Sequence, residues 1–293
     1  MGEQINLFSD LPDVSAPGMK LPALKTPVWT ENKAKLIAKY LFYFVLITKH
    51  GAYIDGFAAP KQPEIEGSWA AKLVLESEPR FLRDFFFCEI EPERAKYLYE
   101  LVANQPVTKP KRHTQVLVKD FNIAVADVLA SGRITPKKAT FCLIDQYSFE
   151  CHWATLAALA GHKSLGNKIE LFYFLGSGWL DRGLAGFTAN LDVPERWWGR
   201  ADWRSLVGMN GWSRALLFCD RFKEEFGYKH AHPWPIYERG SSGKVMFHMI
   251  HASDHDEAPL IMHRAYRNAT KANEPLEATQ ASLLDLLAKL QTT

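Results

Sequence analysis

Four short apolar runs, each closed by a carboxylate, constrain this chain most: Ala52-Tyr53-Ile54-Asp55, Phe85-Phe86-Phe87-Cys88-Glu89, Val116-Leu117-Val118-Lys119-Asp120 and Phe141-Cys142-Leu143-Ile144-Asp145. Runs this short, and this rich in β-branched and aromatic residues, read as strands of βα units and hence as a parallel sheet, because helix-like sequence fills each interval between them. In such sheets ligands bind beyond the carboxyl ends of the strands, so all four acids are expected along one rim. An ionised carboxylate only accepts hydrogen bonds, and a rim of four suits sugar hydroxyls, amines or amino groups.

The intervals support this reading. Residues 1–28 carry Pro12, Pro17, Pro22 and Pro27 with little periodicity, and are expected to form an extended arm. Thr30 can cap a first helix, Glu31 complements its dipole, and Leu36, Tyr40, Phe44 and Ile47 recur at helical spacing up to His50-Gly51. Further helices are expected over 68–77, 92–103, 122–131 and 150–160, with Pro92 in a first turn. A fifth strand is expected over 169–175. Between 179 and 208 the sequence turns irregular and rich in Trp, Arg and Gly, as an insertion over the rim would be, and a helix follows near 211–226. Residues 228–238 and 244–251 flank Gly240-Ser241-Ser242-Gly243, a pattern for an antiparallel hairpin at the sheet edge. The tail, 257–290, reads as helical, with Leu283, Leu284, Leu287 and Leu290 on one face.

Composition narrows the class. With 293 residues, 47% of them apolar, the chain can bury one large α/β core. A net charge of only +2 gives no global pull toward nucleic acid or membrane. The four cysteines form no Cys-x-x-Cys pair, and Cys88 and Cys142 fall inside strands, so a reduced, cytoplasmic protein is expected. The longest apolar stretch, Leu36 to Ile47, is too short to span a bilayer and contains Lys39; no membrane association and no cleavable signal are expected.

Five parallel strands and a closing antiparallel hairpin are the architecture of Rossmann-like class I S-adenosylmethionine-dependent methyltransferases, here with an α-helical and irregular insertion. The boundaries that follow are 1–28 for the arm, 29–178 for the cofactor-binding region, 179–226 for the Trp/Arg-rich insertion and its helix, and 227–293 for the hairpin and C-terminal helices. Within that plan the turn Asp55-Gly56-Phe57-Ala58-Ala59 offers small residues that let backbone approach a cofactor. Glu89 is placed to accept both hydroxyls of a ribose. Asp120 can accept from an adenine amino group and Phe121 can cover its ring, although Asp120 equally suits the N-cap of the next helix. Asp145-Gln146-Tyr147 is similar to the D/N-P-P-Y motif with which amino-group methyltransferases hold a planar nitrogen, Asp145 accepting from the amine and Tyr147 stacking on the ring.

Taken in order, these stretches resemble the three-Cys-motif partner (TcmP) family, a bacterial group similar to class I methyltransferases. The resemblance runs over roughly residues 28–270, through Val28-Trp29-Thr30, Lys33, Tyr53 to Ala58, Glu89, Asp120-Phe121-Asn122, Ile144-Asp145, Trp198-Gly199, Trp203 and Gly227-Tyr228. It implies a Rossmann-like cofactor fold and a functional link to a separate cysteine-motif protein. Where family members read F-A-G-x-G this chain has Phe57-Ala58-Ala59-Pro60-Lys61, which restricts positive φ and brings a cation near the methionine end of the cofactor.

Other constellations lead elsewhere. His248, His251, Asp254, His255, Asp256 and His263 invite a metal reading, but the Met246–Ile250 run is strand-like, which denies His251 and His255 a shared helix face, and a polar turn is expected instead. No Gly-x-Ser-x-Gly elbow or phosphate-binding P-loop is present, against hydrolase and nucleotide triphosphatase chemistry. Arg196, Trp197, Trp198, Arg200, Trp203, Arg204, Trp212 and Arg214 admit either base stacking on a nucleic acid or cation–π packing inside a lid. Three functions follow: a methyltransferase acting on a nucleic-acid base or other planar amine, a degenerate Rossmann module that binds a protein partner without chemistry, and a basic–aromatic nucleic-acid binder. The oligomeric state is open.

Overall fold

The computed structural model describes residues 15–16, 19–20, 28–29, 32–107, 111–177, 179–238 and 244–269. Helix α1 (Lys33–Thr48) leads through Lys49, whose left-handed φ of 57° ends it, into β1 (Gly51–Asp55). The chain then alternates: α2 (Ala70–Leu75), β2 (Leu82–Glu89), α3 (Pro92–Ala103), β3 (His113–Val118), α4 (Phe121–Ala130), β4 (Thr140–Ile144), α5 (Trp153–Gly161) and β5 (Glu170–Gly176). After β5 come α6 (Leu180–Ala185), α7 (Asp192–Trp198), α8 (Gly211–Phe226), the antiparallel pair β6 (His230–Tyr237) and β7 (Val245–Ser253), and α9 (Ala258–Asn268).

Across the main sheet the strands run β3-β2-β1-β4-β5-β7-β6, with a two-residue strand, Val28–Trp29, on the far edge beside β6. Strands β1 to β5 pair in parallel, whereas β7 is antiparallel to both β5 and β6. A seventh strand slotted in reverse between the fifth and sixth is the order of the Rossmann-like class I methyltransferase fold, and it places the reversal of strand order between β1 and β4.

Period-two alternation divides the core into two layers. Tyr53, Phe85, Phe87, Phe141, Phe172 and Phe174 face α1, α2 and α9. Ile54, Phe86, Cys142, Ile144, Leu171 and Tyr173 face α4, α5, α7 and α8. Every residue of β1, β4 and β5 is buried, as strands covered on both faces must be.

One expectation changes, and one open alternative is decided. Strand β3 stops at Val118, so Asp120 lies past the strand and accepts from the Asn122 N–H at 2.8 Å as the N-cap of α4. The insertion combines short helices with irregular connections, and three of its indoles are core: Trp197, Trp198 and Trp203 are buried, whereas Trp179 and Trp212 are half-buried. The Arg221 guanidinium lies 3.7 Å from the Trp153 ring centroid and 3.9 Å from that of Trp198, and donates to the Trp198 carbonyl and to Glu225. Cation–π packing inside the lid, rather than a stacking platform for bases, therefore accounts for this stretch. Thr30, Glu31, the Gly240–Gly243 linker and the tail leucines from Leu283 lie outside the described residues.

Among the described residues no helix is long and apolar enough to cross a membrane, and no three His, Cys, Asp or Glu side chains gather as a metal site would require. The histidines of β7 diverge: His248 Nδ1 is 2.6 Å from Ser177 Oγ, and His251 Nε2 is 3.1 Å from Glu170 Oε2.

Candidate functional site

The C-terminal ends of β1, β2 and β4 and the start of α4 bring Asp55, Glu89, Asp145 and Asp120 to one rim, but not to one pocket. Two hollows flank Phe57. Asp55, Lys33, Lys61, Asp145 and Tyr147 line one of about 410 Å³; Gly56, Glu89, Asp120 and Phe121 line the other, of about 360 Å³, with Arg196 of the insertion on its far wall. The expected single cluster of acids is thus divided by an aromatic ring that borders both spaces.

The turn between them is built from inside the protein. The Gly56 N–H donates to the Leu143 carbonyl, that of Phe57 to Asp55 Oδ1 and that of Ala58 to the Cys88 carbonyl. These three amides are therefore committed to the protein rather than offered to a cofactor. Gly56 is small for a different reason than sequence suggested: a Cβ there would stand 2.7 Å from the Phe121 ring. Trp69 Nε1 and Arg94 donate to the carbonyls of Ala58 and Ala59. Ala59 and Lys61 introduce no strain, since Lys49 and Asn190 are the described non-glycine residues with positive φ.

In the larger hollow both carboxylates are answered. Asp55 Oδ2 accepts from the Tyr53 hydroxyl at 2.9 Å, and burial pushes its carboxyl up to about 7 against these hydrogen bonds. Asp145 Oδ1 accepts from Lys33 at 2.6 Å and has Lys61 at 3.8 Å. Burial alone would raise Asp145, but the two ammonium groups outweigh it and hold the carboxyl below the usual aspartate range. Lys33 is lowered despite that partner, because burial dominates and Lys61 adds repulsion. Its ammonium also sits 4.5 Å from the Phe174 ring centroid and 5.2 Å from that of Phe247. Tyr147 is 73% exposed and stacks on Trp179, with centroids 6.5 Å apart and planes 16° off parallel. Gln146, where the motif has proline, is buried and accepts from the Cys151 N–H, so it shapes the loop rather than facing the hollow.

In the smaller hollow the acid is less occupied. Glu89 Oε1 accepts from the Glu91 N–H at 3.0 Å, while Oε2 has Arg94 at 3.5 Å. Asp120 uses Oδ1 for the cap and for the Asn122 side chain. Phe121, 2% exposed, packs edge-on against Phe57 at 5.9 Å, so it is wall rather than free cover.

Sequence reasoning missed Tyr53 and Lys33. Tyr53 was within reach, because residues two apart on a strand share a face. Lys33 is 112 positions from Asp145 and left no local signal of the pairing.

Neither a protein-family model nor a curated protein matches this chain. Among solved structures, Trm1 from Pyrococcus horikoshii in complex with S-adenosyl-L-methionine aligns with 12% identity and a TM-score of 0.42, over 82% of this chain and 60% of that one. A candidate hemolysin from Streptococcus thermophilus aligns with 14% identity and a TM-score of 0.31, over 87% of this chain and 78% of that one. The chain thus spans 60% of the Trm1 chain's length. Similarity of this degree does not extend to residues or substrates; what the strand order itself establishes is a methyltransferase-like Rossmann fold.

Proposed function

We propose that the rim binds S-adenosylmethionine across its two hollows and serves methyl transfer to a planar amine, such as a nucleic-acid base. The carrying observation is the buried Glu89 carboxylate at the end of β2, in a hollow shared with Asp120 and Phe121 and one ring away from the Asp145 hollow. The residues fit the adenosine half: Glu89 can accept from two ribose hydroxyls, and Asp120 retains Oδ2 for an amino group. At the amino-acid half the fit turns on charge. Lys61 can meet its carboxylate, and Asp145 keeps Oδ2 for the acceptor, because both lysines crowd Oδ1. When bound, the cofactor supplies an electrophilic methyl group. Tyr147 and Trp179 offer the acceptor a stacking surface, Asp145 fixes its hydrogen-bonding edge, and Phe57 must turn aside for a ligand that spans both hollows.

Calorimetry with S-adenosylhomocysteine tests the reading. Binding is expected, and Glu89→Ala should weaken it by roughly 1.5–3 kcal/mol, the range for a lost charge-assisted hydrogen bond. Absence of heat at about millimolar ligand removes the proposal.

A second reading, a partner-binding module without chemistry, draws on the committed amides of the turn and on the Lys33–Asp145 pair. The resemblance to the three-Cys-motif partner family makes a cysteine-motif protein its expected partner. Cofactor-independent association with such a protein supports this reading, and methyl transfer to cellular RNA or DNA eliminates it.

A further inference from the structure

The opposite rim holds a cavity that the methyltransferase reading does not use. About 280 Å³ in volume, it lies between the end of α1, the start of α9 and the loops preceding β4 and β5. Phe44, Ile47 and Ile261 give it an apolar wall, and Lys163, 7% exposed, reaches it from the loop after α5. The Lys163 ammonium donates to the Lys138 carbonyl at 2.5 Å, its one hydrogen bond to a described residue. An ammonium carries three donors, so two remain for a ligand or water in a place with little solvent.

The electrostatics point one way. Lys137, Lys138 and Lys168 also line the cavity. Lys138 and Lys168 are balanced by Asp84 and Asp254, which lie outside the lining. The single lining carboxylate, Glu170, already takes the Tyr40 hydroxyl at 2.5 Å and has His251 Nε2 at 3.1 Å on the same oxygen. The lining is therefore cationic, with a buried lysine whose ammonium has donor capacity to spare beside apolar surface. That combination suits one negative charge on an apolar body better than an inorganic anion, which would leave the wall uncovered.

We infer that this cavity is a second ligand site for a small organic acid, whose carboxylate meets the Lys163 ammonium and whose apolar body lies on Phe44, Ile47 and Ile261. Burial lowers the Lys163 amine to about 8, with Glu170 opposing the shift. The amine thus carries its charge at neutral pH and loses it in mild alkali, where a carboxylic acid stays ionised.

The test uses phenylacetate and its neutral isostere phenylacetamide as probes, titrated into the full chain and followed by ligand-observed NMR. Phenylacetate should bind about 10-fold or more tighter than the amide at pH 6.5, as expected for a charge-assisted hydrogen bond. That preference should fade as pH rises through about 8. The titratable groups that line the cavity with this amine are Tyr40 of α1, His50 before β1, Lys137 and Lys138 before β4, Lys168 before β5, Glu170 at its start, and His255 before α9. Lys163→Met should abolish both the preference and its pH dependence, which assigns the titration to Lys163 rather than to these neighbours. Equal binding of acid and amide, no binding of either, or a preference flat across pH 6.5–9.5 overturns the inference on the native chain. Preference retained in a folded Lys163→Met variant overturns it as well.

Discussion

The two hollows beside Phe57 hold similar acids in opposite conditions. Glu89 meets one backbone amide and a distant arginine, whereas Asp145 is held by a half-buried lysine and Asp55 is pushed toward its neutral form. A carboxylate at a strand end is therefore not a site by itself. Its neighbours decide whether it presents a free charge, a neutral donor or a finished ion pair. The smaller hollow is ready for hydroxyl donors; the larger one is a balanced set of charges into which a zwitterion can insert.

The largest expected effect tests Asp55. Its folded value of about 7 lies above the 3.8 of an ordinary aspartate, so between those values the folded chain holds a proton that the unfolded chain has lost. The stability this contributes is complete below about pH 4 and is lost as pH rises through about 7, a change of at most about 4 kcal/mol. The stability difference between the native chain and Asp55→Asn, from denaturant melts at pH 4 and pH 8, should fall accordingly. A constant difference would show the carboxylate to be solvated and erase the contrast with Glu89.

Next is Lys33→Met, which leaves Asp145 with only the more distant Lys61. Removing one partner of a buried pair costs about 3–5 kcal/mol, and partial exposure here places the expectation near the lower end. Adding Asp145→Asn should restore most of the loss, and a double-mutant cycle with no coupling would mean that the pair is incidental. The smallest effect sharpens the charge argument: Lys61→Ala should weaken S-adenosylhomocysteine by roughly 0.5–1 kcal/mol, since Lys61 is half exposed. It should leave 5′-methylthioadenosine, which lacks the amino-acid carboxylate, unchanged. Equal loss for both compounds would place Lys61 elsewhere.

Much of the frame was legible. The runs ending at Asp55 and Glu89 are strands that end there, Pro92 starts α3, and residues 211–226 form α8. Such features are local, set by alternation, helical spacing and capping. The site was read only in part, because its decisive contacts are not local. Which acid stays free depends on Lys33 lying across Asp145, and the role of Gly56 depends on Phe121 from the next helix but two. The two readings of the Trp-rich insertion stayed open for the same reason: what decides between them is Arg221 of α8 lying over Trp198 of α7 and Trp153 of α5.

That arginine has a kinetic consequence. Its guanidinium joins Trp153 of α5, Trp198 of α7 and Glu225 of α8, so α7 of the insertion is tied to two helices of the body. With Phe187, Val193 and Arg196 of the insertion walling the Glu89 hollow, a ligand that spans both hollows is expected to need Phe57 to rotate rather than the insertion to move. Ligand association should then show a single fast phase, without the microsecond-to-millisecond lag of domain closure.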